Sequence, residues 1–112
     1  MKIYHNPRCR KSREGVQYLT DKKLNFEIID YLKEGVSEDD IKSILKKLNM
    51  SAIEIVRKNE KIWKDNFKGK ELKEEQIISI LCEEPKLIER PIIVHKNKAV
   101  IGRPKENIDS LL

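Results

Sequence analysis

The residues best equipped for chemistry lie together near the start of the chain, in His5-Asn6-Pro7-Arg8-Cys9-Arg10-Lys11-Ser12-Arg13. A cysteine acts as a nucleophile through its thiolate, which forms where donors and positive charge surround the sulfur. Lys2-Ile3-Tyr4 reads as a first strand, and beyond Ser12 the residues Val16 and Leu19 recur at helical spacing. Cys9 therefore falls at a strand-to-helix turn. Unpaired backbone N–H groups and the positive end of the helix dipole favour the thiolate there, and such sites lower a cysteine pKa from ~8.5 to between ~3.5 and ~7.5. Arg8, Arg10, Lys11 and Arg13 push the same way, His5 offers a further charge or hydrogen bond, and Ser12 offers a donor to the sulfur. Most single cysteines are small buried hydrophobes, but so many converging features argue for a reactive one. Cys82 is the contrast: it lies near the apolar face of a later helix with nothing basic just beside it, and it reads as core packing.

The arginines point to what such a thiolate would meet. Of 24 basic residues only six are arginine, at positions 8, 10, 13, 57, 90 and 103. Three surround Cys9, and the others stand singly in Val56-Arg57-Lys58-Asn59, Glu89-Arg90-Pro91 and Gly102-Arg103-Pro104. Arginine carries a planar fork of donors that lysine lacks, so a lysine-rich chain that keeps arginine at punctuated places is reserving it for oxyanions.

Length and composition bound the setting. The 112 residues suit a single domain, 1–112, and equal shares of charged and hydrophobic residues, 38% each, describe a soluble globular protein. Met1-Lys2-Ile3 opens no apolar signal region, and no run approaches the ~20 apolar residues of a membrane span, so a cytoplasmic protein without membrane association is expected. Cys9 and Cys82 are too far apart in sequence for a disulfide framework, and neither has the spacing of a metal site. The net charge of +5 comes from alternating signs without a long basic block, which argues against nucleic acid as a partner.

The elements that must position these residues follow in order. A first helix ends around Asp21-Lys22-Lys23, and Asn25-Phe26-Glu27-Ile28-Ile29-Asp30-Tyr31-Leu32 has the content of a second strand, giving a βαβ unit with parallel strands. Glu34-Gly35 breaks the pattern. Ser37 with Asp40 opens a helix carrying Ile41, Ile44, Leu45 and Leu48, and Ser51 with Glu54 is a capping box for a shorter one that ends by displaying Arg57. Ile62, Trp63 and Phe67 suit a further helical turn, with Trp63 in the core or a lid. A helix from about Lys73 to Glu84 turns Ile77, Ile80 and Leu81 inward and stops at Pro85. Ile92-Ile93-Val94 and Ala99-Val100-Ile101 form a hairpin turning near Lys96-Asn97, with His95 as a solvated turn residue. Pro104 then takes the first position of a last helix packing Ile108, Leu111 and Leu112.

The order β-α-β, a helical block, then β-β-α resembles the thioredoxin fold: an α/β protein with a mixed four-stranded sheet and a helical insertion, about 37–85, between its halves. More narrowly, His5-Asn6-Pro7-Arg8-Cys9 with Ser12-Arg13, then Arg57-Lys58-Asn59, Arg90-Pro91-Ile92-Ile93-Val94 and Arg103-Pro104 resembles the glutaredoxin-coupled arsenate reductase family, over nearly the whole chain. The resemblance implies that Cys9 is the catalytic cysteine, that Arg57, Arg90 and Arg103 bind the oxyanion, and that Pro91 is a cis-proline. It makes His5 a candidate for keeping Cys9 deprotonated, with Ser12 and Arg13 in the same loop. It implies arsenate as substrate, glutathione as co-substrate, glutaredoxin as partner, and a monomer needing no metal or bound cofactor. Where the best-known reductases have a small Gly-Thr pair after the cysteine, this chain has Arg10-Lys11, a bulky charged pair bearing on access. Two other readings share the fold: a general glutathione-linked thiol-disulfide oxidoreductase, and an Spx-type regulator that binds RNA polymerase. Such regulators carry Cys-x-x-Cys, whereas Cys9-Arg10-Lys11-Ser12 has one cysteine, and the separated arginines favour an anion-binding enzyme.

Overall fold

A computed structural model describes residues 1–112. Four strands, β1 (Lys2–Tyr4), β2 (Glu27–Ile29), β3 (Ile92–His95) and β4 (Lys98–Ile101), form one sheet in the order β2-β1-β3-β4. β1 runs parallel to β2 and antiparallel to β3, and β3 runs antiparallel to β4, with Ile3 facing Ile28 on one side and Ile93 on the other. This is the mixed four-stranded sheet of a thioredoxin-like fold. The helices are α1 (Arg10–Asp21), α2 (Tyr31–Glu34), α3 (Glu38–Leu48), α4 (Lys61–Asn66) and α5 (Glu74–Glu83), with 3-10 turns at Ala52–Ile55, Pro85–Leu87 and Lys105–Leu111.

Strand alternation divides the core, since successive side chains leave opposite faces of the sheet. Ile3 and Ile93 point to one face, where Leu19 of α1 and Ile108 and Leu111 of the last turn cover them. Ile92, Val94 and Ala99 point to the other, under Ile41, Ile44, Leu45 and Leu48 of α3 and Ile77, Ile78 and Leu81 of α5. Both faces being covered explains why Ile92-Ile93-Val94 is continuously apolar.

The capping boxes form as read. The Ser37 N–H donates to Asp40 Oδ2 at 3.1 Å while the Asp40 N–H donates to Ser37 Oγ at 3.0 Å, and the Ser51 N–H donates to Glu54 Oε2 at 2.6 Å. A cap of this kind contributes about 1 kcal/mol. Trp63 is buried in the core beside Phe67, their rings 5.5 Å apart.

Several boundaries differ from expectation. The second strand stops at Ile29, because Asp30 caps a helical turn: the Lys33 N–H donates to Asp30 Oδ1 and the Asp30 N–H donates to Glu34 Oε2. The helical block therefore runs from Tyr31 to Leu87 instead of 37–85. In α5 Ile78 is buried where Ile80 was expected, Ile80 being only partly covered. His95 ends β3 half-buried instead of standing in the turn. The last helix is a 3-10 turn preceded by Pro104, and Leu112 is exposed. No helix is long and apolar enough to cross a membrane.

Candidate active site

Cys9 is the N-cap of α1, in extended conformation at φ −95° and ψ 122°. The loop that delivers it is tied down from within. The His5 N–H pairs with the Ile29 carbonyl at 2.9 Å, carrying β1–β2 pairing to the loop's edge, and the Cys9 N–H donates to the Asn6 carbonyl at 3.0 Å. Asn6 Oδ1 accepts from the Arg8 N–H at 3.0 Å, and the Asn6 N–H donates to Ser12 Oγ at 2.9 Å. Ser12 Oγ lies 2.7 Å from His5 Nδ1. His5, Asn6 and Ser12 are all buried, so loop and helix start form one hydrogen-bonded block.

Burial works to raise the Cys9 pKa, but hydrogen bonding from the Arg90 guanidinium, the backbone N–H groups of Ser12 and Lys11, and the Arg90 charge together bring it below the ordinary thiol range. These donors hold a thiol weakly and a thiolate strongly, because hydrogen bonds to an ionised acceptor are about twice as strong.

The surrounding residues differ from the sequence reading in three respects. Ser12 acts on the sulfur through its backbone N–H, since its hydroxyl is occupied by His5 and Asn6. Burial lowers the His5 pKa, with Asp30 opposing, so at neutral pH this imidazole is an uncharged partner of Ser12 and adds no positive charge beside the thiol. Three of the four cations flanking Cys9 are engaged elsewhere: Arg10 and Lys11 both pair with Glu14, at 3.5 Å each, and Arg13 Nη1 donates to the Pro7 carbonyl at 2.9 Å. Arg10-Lys11 thus lies along the exposed side of α1.

A distant arginine, Arg90, takes their place at the sulfur. Pro91 follows a cis peptide bond from Arg90. Arg90 is nine-tenths buried and donates from Nη1 to the Lys86 carbonyl at 3.1 Å. A short backbone ladder brings Arg57 alongside: Val56 bridges Ile88, the Arg57 N–H donates to the Leu87 carbonyl at 2.7 Å, and the Glu89 N–H donates to the Ile55 carbonyl at 2.8 Å. The Arg57 fork is steadied by Glu60 at 3.5 Å and Glu89 at 4.0 Å. Arg103 stands apart. Its neighbour Gly102 donates to the Pro91 carbonyl at 2.8 Å, but the Arg103 side chain is exposed and forms no ion pair. Pro91 itself is wedged between two glycines: a Cβ at Gly15 would fall 2.8 Å from its Cγ, and one at Gly102 would fall 3.0 Å from the same atom.

Tyr31 completes the group, and the sequence reading missed it. It opens α2 with 1% of its surface exposed, and burial raises its pKa to about 12 against the opposing charges of Arg90 and Arg57, with Cys9 and Asp30 adding to the rise. Tyr31 Oη and Arg90 Nε are buried without a hydrogen-bond partner, and Arg57 Nε, also buried, has only the Glu60 carboxylate at 3.5 Å. An unpaired buried donor costs about 1–3 kcal/mol. For Tyr31 Oη and Arg90 Nε the folded chain itself supplies no acceptor.

A model of the ArsC family matches residues 4–111. This chain belongs to the ArsC family. Among its relatives, the uncharacterized protein YfgD of Escherichia coli is 42% identical, the match covering 96% of this chain and 92% of YfgD. An arsenate reductase of Haemophilus influenzae is 36% identical, with 98% and 97% covered. In three dimensions the arsenate reductase from Vibrio cholerae superposes with a TM-score of 0.94 at 34% identity, covering 100% of this chain and 98% of that one. The likeness spans both halves of the ArsC chain, the Cys9 loop as well as the segments bearing Arg57 and Arg90. A cleft of about 390 Å3, lined by Asn6, Pro7, Arg8, Asp30, Leu32 and Lys33, opens beside that loop.

Proposed function

We propose that this ArsC-family chain is an arsenate reductase that uses Cys9 as its nucleophile and glutathione with glutaredoxin as its electron donors. The observation that carries the reading is the Cys9 thiol placed at the N-terminus of α1, its pKa lowered by Arg90 and by the Ser12 and Lys11 N–H groups, in a chain where Tyr31 Oη and Arg90 Nε are buried without an acceptor. Arsenate is a tetrahedral oxyanion, and the arginine forks match its geometry and neutralise charge as it develops. The names of the Haemophilus and Vibrio relatives support the same substrate.

In the proposed cycle the Cys9 thiolate attacks arsenic(V), displacing one oxygen as water and leaving a sulfur–arsenic bond. Arg90 and Arg57 hold the remaining oxygens, and Arg103, exposed and unpaired beside the Pro91 loop, is free to close over them. A glutathione thiolate then attacks the Cys9 sulfur. The sulfur–arsenic bond breaks with its electron pair going to arsenic, which leaves as arsenite, and Cys9 is left in a mixed disulfide with glutathione. A glutaredoxin thiolate takes the glutathione, returning Cys9 to the thiolate. Ser12 stands where a second cysteine would close an internal disulfide, so turnover draws on an external thiol. His5 and Ser12 hold the loop in shape without exchanging a proton with substrate.

The test is arsenite formed by the purified protein with arsenate, glutathione and glutaredoxin, compared with Cys9→Ser and Arg57→Lys. Arsenite from the native chain and none from Cys9→Ser is the expected result. Disulfide exchange with glutathione in the absence of any arsenite would instead assign the site to general thiol-disulfide chemistry.

A further inference from the structure

Tyr31 has no assigned part in this chemistry, yet its surroundings single it out. Its ring is held in the core cluster, so the hydroxyl position is fixed by packing. The hydroxyl is buried and unpartnered, as is Arg90 Nε, and the charges of Arg90, Arg57 and Cys9 all act on it. The nearby carboxylates are already committed: Glu60 and Glu89 face Arg57, and Asp30 caps α2. These two carboxylates also offset the Arg57 charge, so further attraction for an anion must come from donors that bring no charge of their own.

We infer that the Tyr31 hydroxyl is an oxyanion-binding group that donates a hydrogen bond to the tetrahedral anion held by Arg57 and Arg90 against Cys9. The inference rests on the anion-binding reading of the site proposed above. With its pKa near 12 the phenol keeps its proton throughout the physiological range and remains a donor. A donor made to bound oxygen before and during attack stabilises substrate and transition state alike, so its loss appears in KM with kcat unchanged.

Tyr31→Phe removes one oxygen and keeps the ring. The comparison is made in a Cys82→Ser background, so that iodoacetamide reports Cys9 alone, with arsenate, phosphate and sulfate as protecting anions. The concentration of anion that halves the alkylation rate should rise roughly tenfold in Tyr31→Phe, the size of one hydrogen bond to a charged group. The rate without anion should stay the same, and the anion-free melting temperature should hold or rise, because an unpaired buried hydroxyl has been removed. In the arsenite assay, KM for arsenate should rise by the same factor with kcat within about twofold. Equal protection in the two proteins overturns this inference while leaving the proposed function intact. A lower anion-free melting temperature with unchanged protection gives Tyr31 a structural role and also overturns it. If no anion protects the parent protein, the anion site itself fails, and the native arsenite assay reports that failure separately.

Discussion

The two cysteines have similar exposure and opposite chemistry. Both are partly buried on helices, Cys9 at the N-terminus of α1 and Cys82 in the last turn of α5. Burial pushes both thiols up. At Cys9 the donors of Arg90, Ser12 and Lys11 outweigh it, whereas at Cys82 the charges of Glu38, Asp40 and Glu83 add to it. The helix dipole follows the same division, its positive end at Cys9 and its negative end toward Cys82. With exposure alike, the difference between the two thiols comes from where each sits along its helix and which charges face it.

The strongest way to break this comparison is to exchange each sulfur for oxygen. Cys9→Ser should lower arsenite formation by at least about 10³-fold, as loss of a nucleophile does, while Cys82→Ser should stay within about twofold of the native rate. Comparable losses would mean that the two thiols act together. Next in size, Arg90→Leu removes the main opponent of burial at Cys9. The midpoint of alkylation rate against pH should move up, and arsenite kcat/KM should fall roughly 10²-fold, as for removal of an oxyanion-stabilising donor. An unmoved midpoint would credit the helix N-terminus alone.

Arg57→Lys keeps the charge and loses the planar fork, so KM for arsenate should rise about tenfold with the Cys9 midpoint unchanged. The smallest effect sharpens the comparison through stability. Cys9 has a depressed folded pKa, so its contribution is present above the unfolded thiol's pKa and is lost as pH falls through the folded value. Cys82 has a raised folded pKa, so its contribution is present below the unfolded value and is lost as pH rises through the folded one. Melting curves of the native chain against each Cys→Ser variant between neutral and alkaline pH should therefore diverge with opposite slopes.

Signals carried by neighbouring residues were legible in the sequence. The Cys9 turn, the Ser37–Asp40 and Ser51–Glu54 boxes and the apolar β3 all depend on contacts within a few residues, and all stand where they were read. What escaped depends on partners far along the chain or on competition between nearby ones. The segments bearing Arg57 and Arg90 are joined through the Val56–Ile88 bridge, which neither stretch announces. The basic residues beside Cys9 looked like its electrostatic support, but Glu14 and the Pro7 carbonyl claim Arg10, Lys11 and Arg13. Tyr31 looked like strand because Glu27-Ile28-Ile29 is strand, and only Asp30, a strong N-cap residue followed by Glu34, hinted that the chain turns. That turn carries the phenol into the site instead of along the sheet edge.

The two glycines against Pro91 set a distance. Gly15 belongs to the helix that carries the sulfur, and Pro91 adjoins the arginine that faces it, with less than a methyl group's room between them. The spacing of sulfur and guanidinium is thus gauged by the closest approach of bare backbone to a proline ring, a ruler made of contact with no bond in it. One added carbon at residue 15 would lengthen that ruler and detune the thiolate from a position that touches neither reacting group.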